Sequence, residues 1–281
     1  MSRPRRVLRV RALAKINLTL QVLGTRPDGY HNLRTTFQSI ALGDVLTFKA
    51  AGDFRIECGD PACPADRTNL VWRAAEALWR AAGRVGEPPG VHVRIRKRIP
   101  VQAGLGGGSS DAAAALRACA SIWRLRKTVV RNVAPTLGAD VPFFLEGGTV
   151  LGVERGDLLF PLVDRPASWV VIVLPDFGVS TKDAYGWFDE GAASGALREA
   201  SNDLEAAVAR HHPEIGLIVR DLGRAGAVRA ALSGSGSAVF GLFGHRRAAH
   251  EAAARLARRR RRVLVTRTVN RRDYWRLSRL E

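Results

Sequence analysis

Cysteine, methionine and lysine are scarce in this chain, and several familiar motifs are missing. The three cysteines, Cys58, Cys63 and Cys119, form no CxxC pair. An odd count without metal-ligand spacing argues against a disulfide framework or a zinc ribbon and fits a reducing, cytoplasmic compartment. No apolar run approaches the roughly 18 residues that a membrane span needs. The arginines near the N-terminus are not followed by the apolar core of a secretory signal. There is no GxxxxGK[ST] phosphate loop, and the glycine cluster at residues 104–108 misses the GxGxxG register because Ser109 stands where the third glycine belongs. Asp176-Phe177-Gly178 imitates the magnesium motif of protein kinases, but no HRDxxxxN precedes it, so it reads as a turn after a strand.

What remains is an ordinary globular composition, 46% apolar and 25% charged over 281 residues, enough for two domains with separate cores. The formal net charge of +18 is not ordinary. Only five of the 44 basic residues are lysines: Lys15, Lys49, Lys97, Lys127 and Lys182. A basic surface attracts polyphosphates or nucleic acid; a general preference for arginine over lysine produces the same charge without function. The arginines gather around no single motif, and neither an RNP motif nor aromatics on a basic strand accompany them, which weighs against nucleic acid. The run at residues 258–262, read as the end of a helix over 245–260, fans its charges into solvent.

Hydrophobic periodicity divides the chain into two α+β halves with one sheet each. Residues 14–23 alternate strictly, with Ile16, Leu18, Leu20 and Val22 opposite Lys15, Asn17, Thr19 and Gln21, the pattern of a half-buried strand. Pro27-Asp28-Gly29 makes a turn. Strands follow over 37–48, 53–58 and 91–95, with a helix over 71–78 capped by Asn69 and another over 111–123. Residues 163–167 read as a linker, which sets domains at 1–163 and 164–281. The second half offers strands over 169–174, 238–243 and 263–269 and helices over 203–210 and 213–222.

Chemistry concentrates in Pro100-Val101-Gln102-Ala103-Gly104-Leu105-Gly106-Gly107-Gly108-Ser109-Ser110, which joins a strand to a helix. Glycines allow close backbone approach and positive φ. The helix start supplies unpaired N–H groups and a positive dipole end, so the segment suits phosphate. Ser109 and Ser110 cap the helix or donate to phosphate oxygens, and Asp111 repels phosphate unless it turns away or helps hold Mg²⁺.

This loop resembles the central motif of the GHMP small-molecule kinases. Ala14-Lys15-Ile16-Asn17-Leu18, Arg26-Pro27-Asp28-Gly29-Tyr30-His31, the stretch from Leu137-Gly138-Ala139-Asp140 to Phe144, Asn202-Asp203-Leu204-Glu205 and Leu232-Ser233-Gly234-Ser235-Gly236-Ser237 resemble the branch that phosphorylates 4-diphosphocytidyl-2-C-methyl-D-erythritol. The matches run in order over residues 14–243. The resemblance implies a two-domain α+β fold, each domain a mixed or antiparallel sheet with helices packed on it, together with ATP, Mg²⁺ and a small-molecule acceptor in non-mevalonate isoprenoid synthesis. It also implies Lys15 and Asp140 as catalytic pair, Asn17, Tyr30, His31 and Tyr185 at the acceptor and its cytosine, and Gly234, Ser235 and Gly236 near substrate or phosphates. Asn69 approaches the adenine on this reading, although capping alone explains it. Pro135 leaves the turn before Asp140 unsettled. The magnesium ligands stay open, as do monomer and homodimer. A kinase for homoserine, mevalonate or a sugar is the rival reading, and it leaves Tyr30-His31 without a base to hold.

Overall fold

Two long strands organise the protein. The computed structural model describes residues 7–192, 201–257 and 260–281. Strand β1 (Leu8–Thr25) pairs antiparallel with β2 (His31–Ala50), and the Pro27-Asp28-Gly29 turn joins them, with Asp28 Oδ1 accepting from the Tyr30 N–H at 3.1 Å. Short strands were expected over 37–48; β2 instead runs 20 residues because three partners claim it. β1 takes one edge, while β4 and β5 share the other.

The first half continues with β3 (Arg55–Cys58), α1 (Leu70–Ala81), β4 (Val91–Arg96), α2 (Gly107–Trp123), α3 (Lys127–Leu137), a 3₁₀ turn (Pro142–Leu145), β5 (Thr149–Glu154) and β6 (Leu158–Pro161). These strands form one six-stranded sheet in the order β3-β4-β2-β5-β6, with β1 on β2 and β3 parallel to β4. The helices cover one face, burying Ala74, Leu78, Ala113 and Leu116 against Val10, Phe48 and Val93. The alanines of α2 keep it slim enough to lie close to the sheet.

The second half contains β7 (Trp169–Pro175), α4 (Thr181–Ala192), α5 (Leu204–His211), α6 (Pro213–Arg224), β8 (Arg229–Leu232), β9 (Val239–Phe243), α7 (Arg246–Leu256), β10 (Arg261–Arg267) and α8 (Arg271–Leu277). Its sheet, β10-β7-β9-β8, is antiparallel throughout. The two sheets meet in a shared core, where Ala14, Ile16, Leu18 and Ile40 pack on Val170, Ile172 and Phe240. The last segment then returns to the first sheet. Val269 N–H donates to Ser39 O, and Glu281 exchanges backbone hydrogen bonds with Arg9. A single cut at 163/164 therefore leaves α8 packed on the N-terminal half.

Several expectations change. Lys15 and Asn17 lie 3% and 2% exposed, so β1 is buried on both faces where a half-buried strand was expected. Helix α2 begins at Gly107, four residues before the expected start, because glycines 107 and 108 and both serines form its first turn. Pro135 sits inside the last turn of α3 without breaking it; a late proline lacks only a donor that one carbonyl can spare. Sequence periodicity predicts neither α3 nor α8, nor the short strand β8. Helix α7 stops at Leu256, and Arg261 and Arg262 open β10. Arg261 is paired with Glu214 and Asp221, not solvated, while Arg258 and Arg259 lie outside the described residues. No helix among the described residues is long and apolar enough to cross a membrane.

Asn69 caps α1 as its residue type dictates, its side chain accepting from the Val71 N–H at 2.8 Å. Replacing it with alanine orphans that donor. Asn69→Ala is expected to lower the unfolding free energy by about 1 kcal/mol, read from the urea midpoint.

Candidate active site

The floor of the site is the polar face of β1. Register shifts between Leu13 and Lys15 and between Asn17 and Thr19 interrupt the ladder to β2. Such irregularities re-aim side chains and free backbone groups. The Lys15 N–H bonds to Leu105 O at 3.1 Å, which ties the strand to the glycine loop. The Lys15 ammonium donates to Asn17 Oδ1 at 2.6 Å. Asn17 Nδ2 donates to Thr35 Oγ1 at 2.7 Å, and that hydroxyl donates to Thr19 O at 2.7 Å. Asp140, in the turn after α3, stands 3.3 Å from Lys15 Nζ, its side chain 32% exposed where that of Lys15 is 4%. The ammonium is thus fixed from below, and the carboxylate faces the opening.

The roof is the start of α2. Gly106 is its N-cap at φ 71°, and no side chain caps the helix. The first-turn N–H groups therefore have no intrahelical acceptor and point outward beside a positive dipole end. Space forbids anything but glycine here: a Cβ on Gly106 would lie 2.7 Å from the Phe144 ring and 3.2 Å from Lys15 Cε. The second glycine turn backs the first. A Cβ on Gly104 would meet Ser233 O at 2.0 Å, and one on Gly236 would meet Gly104 N at 2.1 Å. Ala238 N–H and Ser233 Oγ donate to the carbonyls of Ala103 and Gly104. Fully buried Asn202 holds this turn, its Nδ2 donating to Leu232 O at 2.9 Å and Gly234 O at 2.7 Å. Gly234 is placed so that a Cβ would lie 3.3 Å from Lys15 Nζ.

A cleft of about 1000 Å³ runs between roof and floor. Lys15, Asn17, Asp140, Asn69, Gly234, Ser235, Tyr30, His31 and Tyr185 line it, as do Pro100 through Ser109. Ser110 does not: its buried hydroxyl donates to Leu13 O at 2.8 Å, fastening α2 to β1. Gly236 acts behind the loop. The amide of Asn69 is committed to the Val71 N–H and the Pro64 carbonyl. At the mouth, His31 stacks on Tyr185 with centroids 4.7 Å apart, so no third ring fits between them. Tyr30 is 58% exposed and carries the Arg155 guanidinium over its ring at 5.4 Å.

Sequence reasoning missed Lys97. It lies beneath the α2 start, donating to Asp111 Oδ2 at 2.8 Å and to Asp44 Oδ2. Asp44 also accepts from the Arg98 and Ile99 N–H groups. Asp111 thus turns away from the loop, and its Oδ1 is buried without a hydrogen-bond partner. Burial pulls the Lys97 ammonium down, but Asp111 and Asp44 outweigh it and hold its pKa above the ordinary 10.5. Burial pushes the Asp111 carboxyl up to about 8 against the pull of Lys97, with the Asp44 charge adding to the rise. The signal in the sequence was a lysine kept among arginines at Arg96-Lys97-Arg98.

Comparison with known proteins agrees with this architecture. The model of the GHMP kinases N terminal domain matches residues 69–148, and that of the GHMP kinases C terminal matches residues 185–261. The class is therefore the GHMP kinases. A relative from Pelotomaculum thermopropionicum, named 4-diphosphocytidyl-2-C-methyl-D-erythritol kinase, is 43% identical over 94% of this chain and 99% of its own. One of the same name from Solibacter usitatus is 45% identical over 85% and 82%. A solved 4-(cytidine 5'-diphospho)-2C-methyl-D-erythritol kinase superposes with a TM-score of 0.76 at 34% identity, covering 92% of this chain and 98% of its own. A homoserine kinase from Cytophaga hutchinsonii shares the fold at 19% identity and a TM-score of 0.64, over 96% and 97%. The chain belongs to the 4-diphosphocytidyl-2-C-methyl-D-erythritol kinase family of the GHMP kinases.

The raised Asp111 pKa has a stability consequence. The folded protein keeps this proton up to about pH 8, whereas the unfolded chain releases it near 3.8. Between those values the folded state binds more protons, so stability falls as pH rises. Asp111→Asn removes that contribution. Its urea midpoint is expected to gain on the wild type progressively from about pH 5 to about pH 8; a constant difference across that range would contradict the assignment.

Proposed function

We propose that the chain transfers the γ-phosphoryl group of ATP to the 2-hydroxyl of 4-diphosphocytidyl-2-C-methyl-D-erythritol, a step in non-mevalonate isoprenoid precursor synthesis. The observation that carries this reading is the buried Lys15 ammonium 3.3 Å from the Asp140 carboxylate, facing an uncapped, glycine-rich helix start across one cleft. Backbone N–H groups from Gly106 to Ser109 hold the β- and γ-phosphates as fixed dipoles. The acceptor hydroxyl sits on Asp140, which takes its proton as the oxygen attacks phosphorus. Lys15, immobilised by Asn17, supplies positive charge beside the transferring group. Phosphoryl transfer asks mainly for such positioning and charge neutralisation.

The cytidine end fits the aromatic mouth, with Tyr30 offering an exposed ring and His31 and Tyr185 an already closed stack. Pro100, Val101 and Gln102 form the outer lip of the cradle, and Gly234 and Ser235 border the acceptor. Asn69 acts through its cap, beside the adenine. Among the described residues no three His, Cys, Asp or Glu side chains converge as a metal cage. Mg²⁺ needs none when it arrives on a triphosphate with much of its water shell. Ser109 and Asp140 are the protein oxygens that would meet it, and it would supply charge neutralisation of the phosphates. We place the domains at residues 1–163 and 164–281, in a cytoplasmic enzyme that is a monomer or homodimer.

The test is coupled ADP release from ATP with Mg²⁺, offered the cytidylated methylerythritol, homoserine, mevalonate and galactose separately. Turnover is expected with the first alone. Asp140→Asn is expected to lower kcat by about 10²–10⁴-fold with KM for ATP little changed. Turnover with another acceptor would discard the cytidine assignment and keep the kinase.

A further inference from the structure

One side chain at the mouth has no part in the chemistry above. Asp189 lies on α4, one turn after Tyr185, and its Oδ1 stands 2.8 Å from His31 Nε2. The two residues of α4 therefore grip the same imidazole, Tyr185 through its face and Asp189 through its edge. Phe188 closes the ring from the side, with centroids 6.3 Å apart and planes at 87°. The His31 side chain is 9% exposed, while Asp189 is 51% exposed. Nothing else in the described residues hydrogen-bonds the His31 ring.

An ionised carboxylate only accepts hydrogen bonds, so the nitrogen facing it must carry a proton. In a neutral imidazole this makes Nε2 the donor and leaves Nδ1 with a free lone pair. A fixed acceptor of that kind distinguishes pyrimidine bases. Cytosine presents an exocyclic amine, a donor, where uracil presents a carbonyl oxygen, another acceptor.

We propose that Asp189 is the positioning residue for base selectivity: it locks His31 as the Nε2–H tautomer, so that Nδ1 accepts from the exocyclic amine of cytosine and repels the O4 of uracil. This rests on the cytidylated acceptor proposed above. The lock crosses the cleft, because His31 opens β2 in the first half and Asp189 belongs to the second.

The experiment compares kcat/KM for cytidine- and uridine-linked methylerythritol in the wild type, Asp189→Ala and Asp189→Glu, with ¹⁵N NMR of the His31 ring in the substrate-free proteins. The wild type is expected to carry its proton on Nε2. Asp189→Ala is expected to lose roughly tenfold or more of the cytidine preference, chiefly in KM for the acceptor. KM for ATP and the thermal midpoint are expected to stay put, since Asp189 is half exposed. Asp189→Glu is expected to restore part of the preference. An undiminished preference in Asp189→Ala, or a wild-type ring protonated on Nδ1, alone or together with Nε2, overturns the proposal while turnover of the cytidylated acceptor continues. No turnover of that acceptor by the wild type overturns both this proposal and the one it rests on.

Discussion

Behind the phosphate loop the two halves of this protein meet at a point where neither can carry a side chain. Gly104 and Gly236 face one another so closely that a Cβ on either would overlap backbone atoms of the opposing turn. This contact fixes the height of the phosphate loop above β1, because the loop is held from behind by the second turn and from below by Leu105 O on Lys15. The turn behind is itself positioned by Asn202, whose neighbours Ser201 and Asp203 bond to Leu20 on β1. One strand therefore carries the floor of the site and, through Asn202, the support for its roof. Displacement of either glycine turn moves phosphate donors and acceptor residues together.

Double burial of β1 follows from that arrangement and carries its own cost. Ile16 and Leu18 fill the core between the sheets, so Lys15 and Asn17 must point into the cleft. An unpaired buried ammonium would cost on the order of several kcal/mol. Here it is met by an amide, a carboxylate and the Phe37 ring at 5.5 Å. The same contacts that make the charge tolerable also hold it still, which is what a group beside a transferring phosphoryl requires.

Much of this was legible in the sequence, and the failures are informative. Period-two alternation located β1, but periodicity reports which residues are apolar, not whether the polar face meets water; a cleft floor and a solvent face read alike. The glycine loop was found by composition, yet its helix begins earlier than expected because Gly107 and Gly108, poor helix formers by propensity, make up its first turn, where a Cβ would lie 3.0 Å from Ile99 and 3.4 Å from Leu70. Helix α3 was lost to Pro135, a breaker by rule that falls too near the helix end to matter. The aromatic mouth was foreseen as residues but not as geometry, since no sequence pattern says that His31 and Tyr185 stack on each other. A stronger signal was available in the lysines. Three of the five, Lys15, Lys97 and Lys182, line the cleft. An ammonium is a compact point charge, unlike the planar guanidinium fork, so lysine in an arginine-rich chain marks positions to inspect.

Lys97 also resolves the objection raised by Asp111. A carboxylate five residues into the phosphate-binding helix should weaken anion binding at its start. Two carboxylates and one ammonium share a buried site, however, and Asp44 takes three donors there, two backbone N–H groups and Lys97. Asp111 has one donor and an orphaned oxygen, so burial leaves it protonated at neutral pH. The field at the start of α2 is left to the helix dipole and to Lys15, both of which attract phosphate. An acidic residue beside an anion site is compatible with its function when the fold withholds the second donor that would let it ionise.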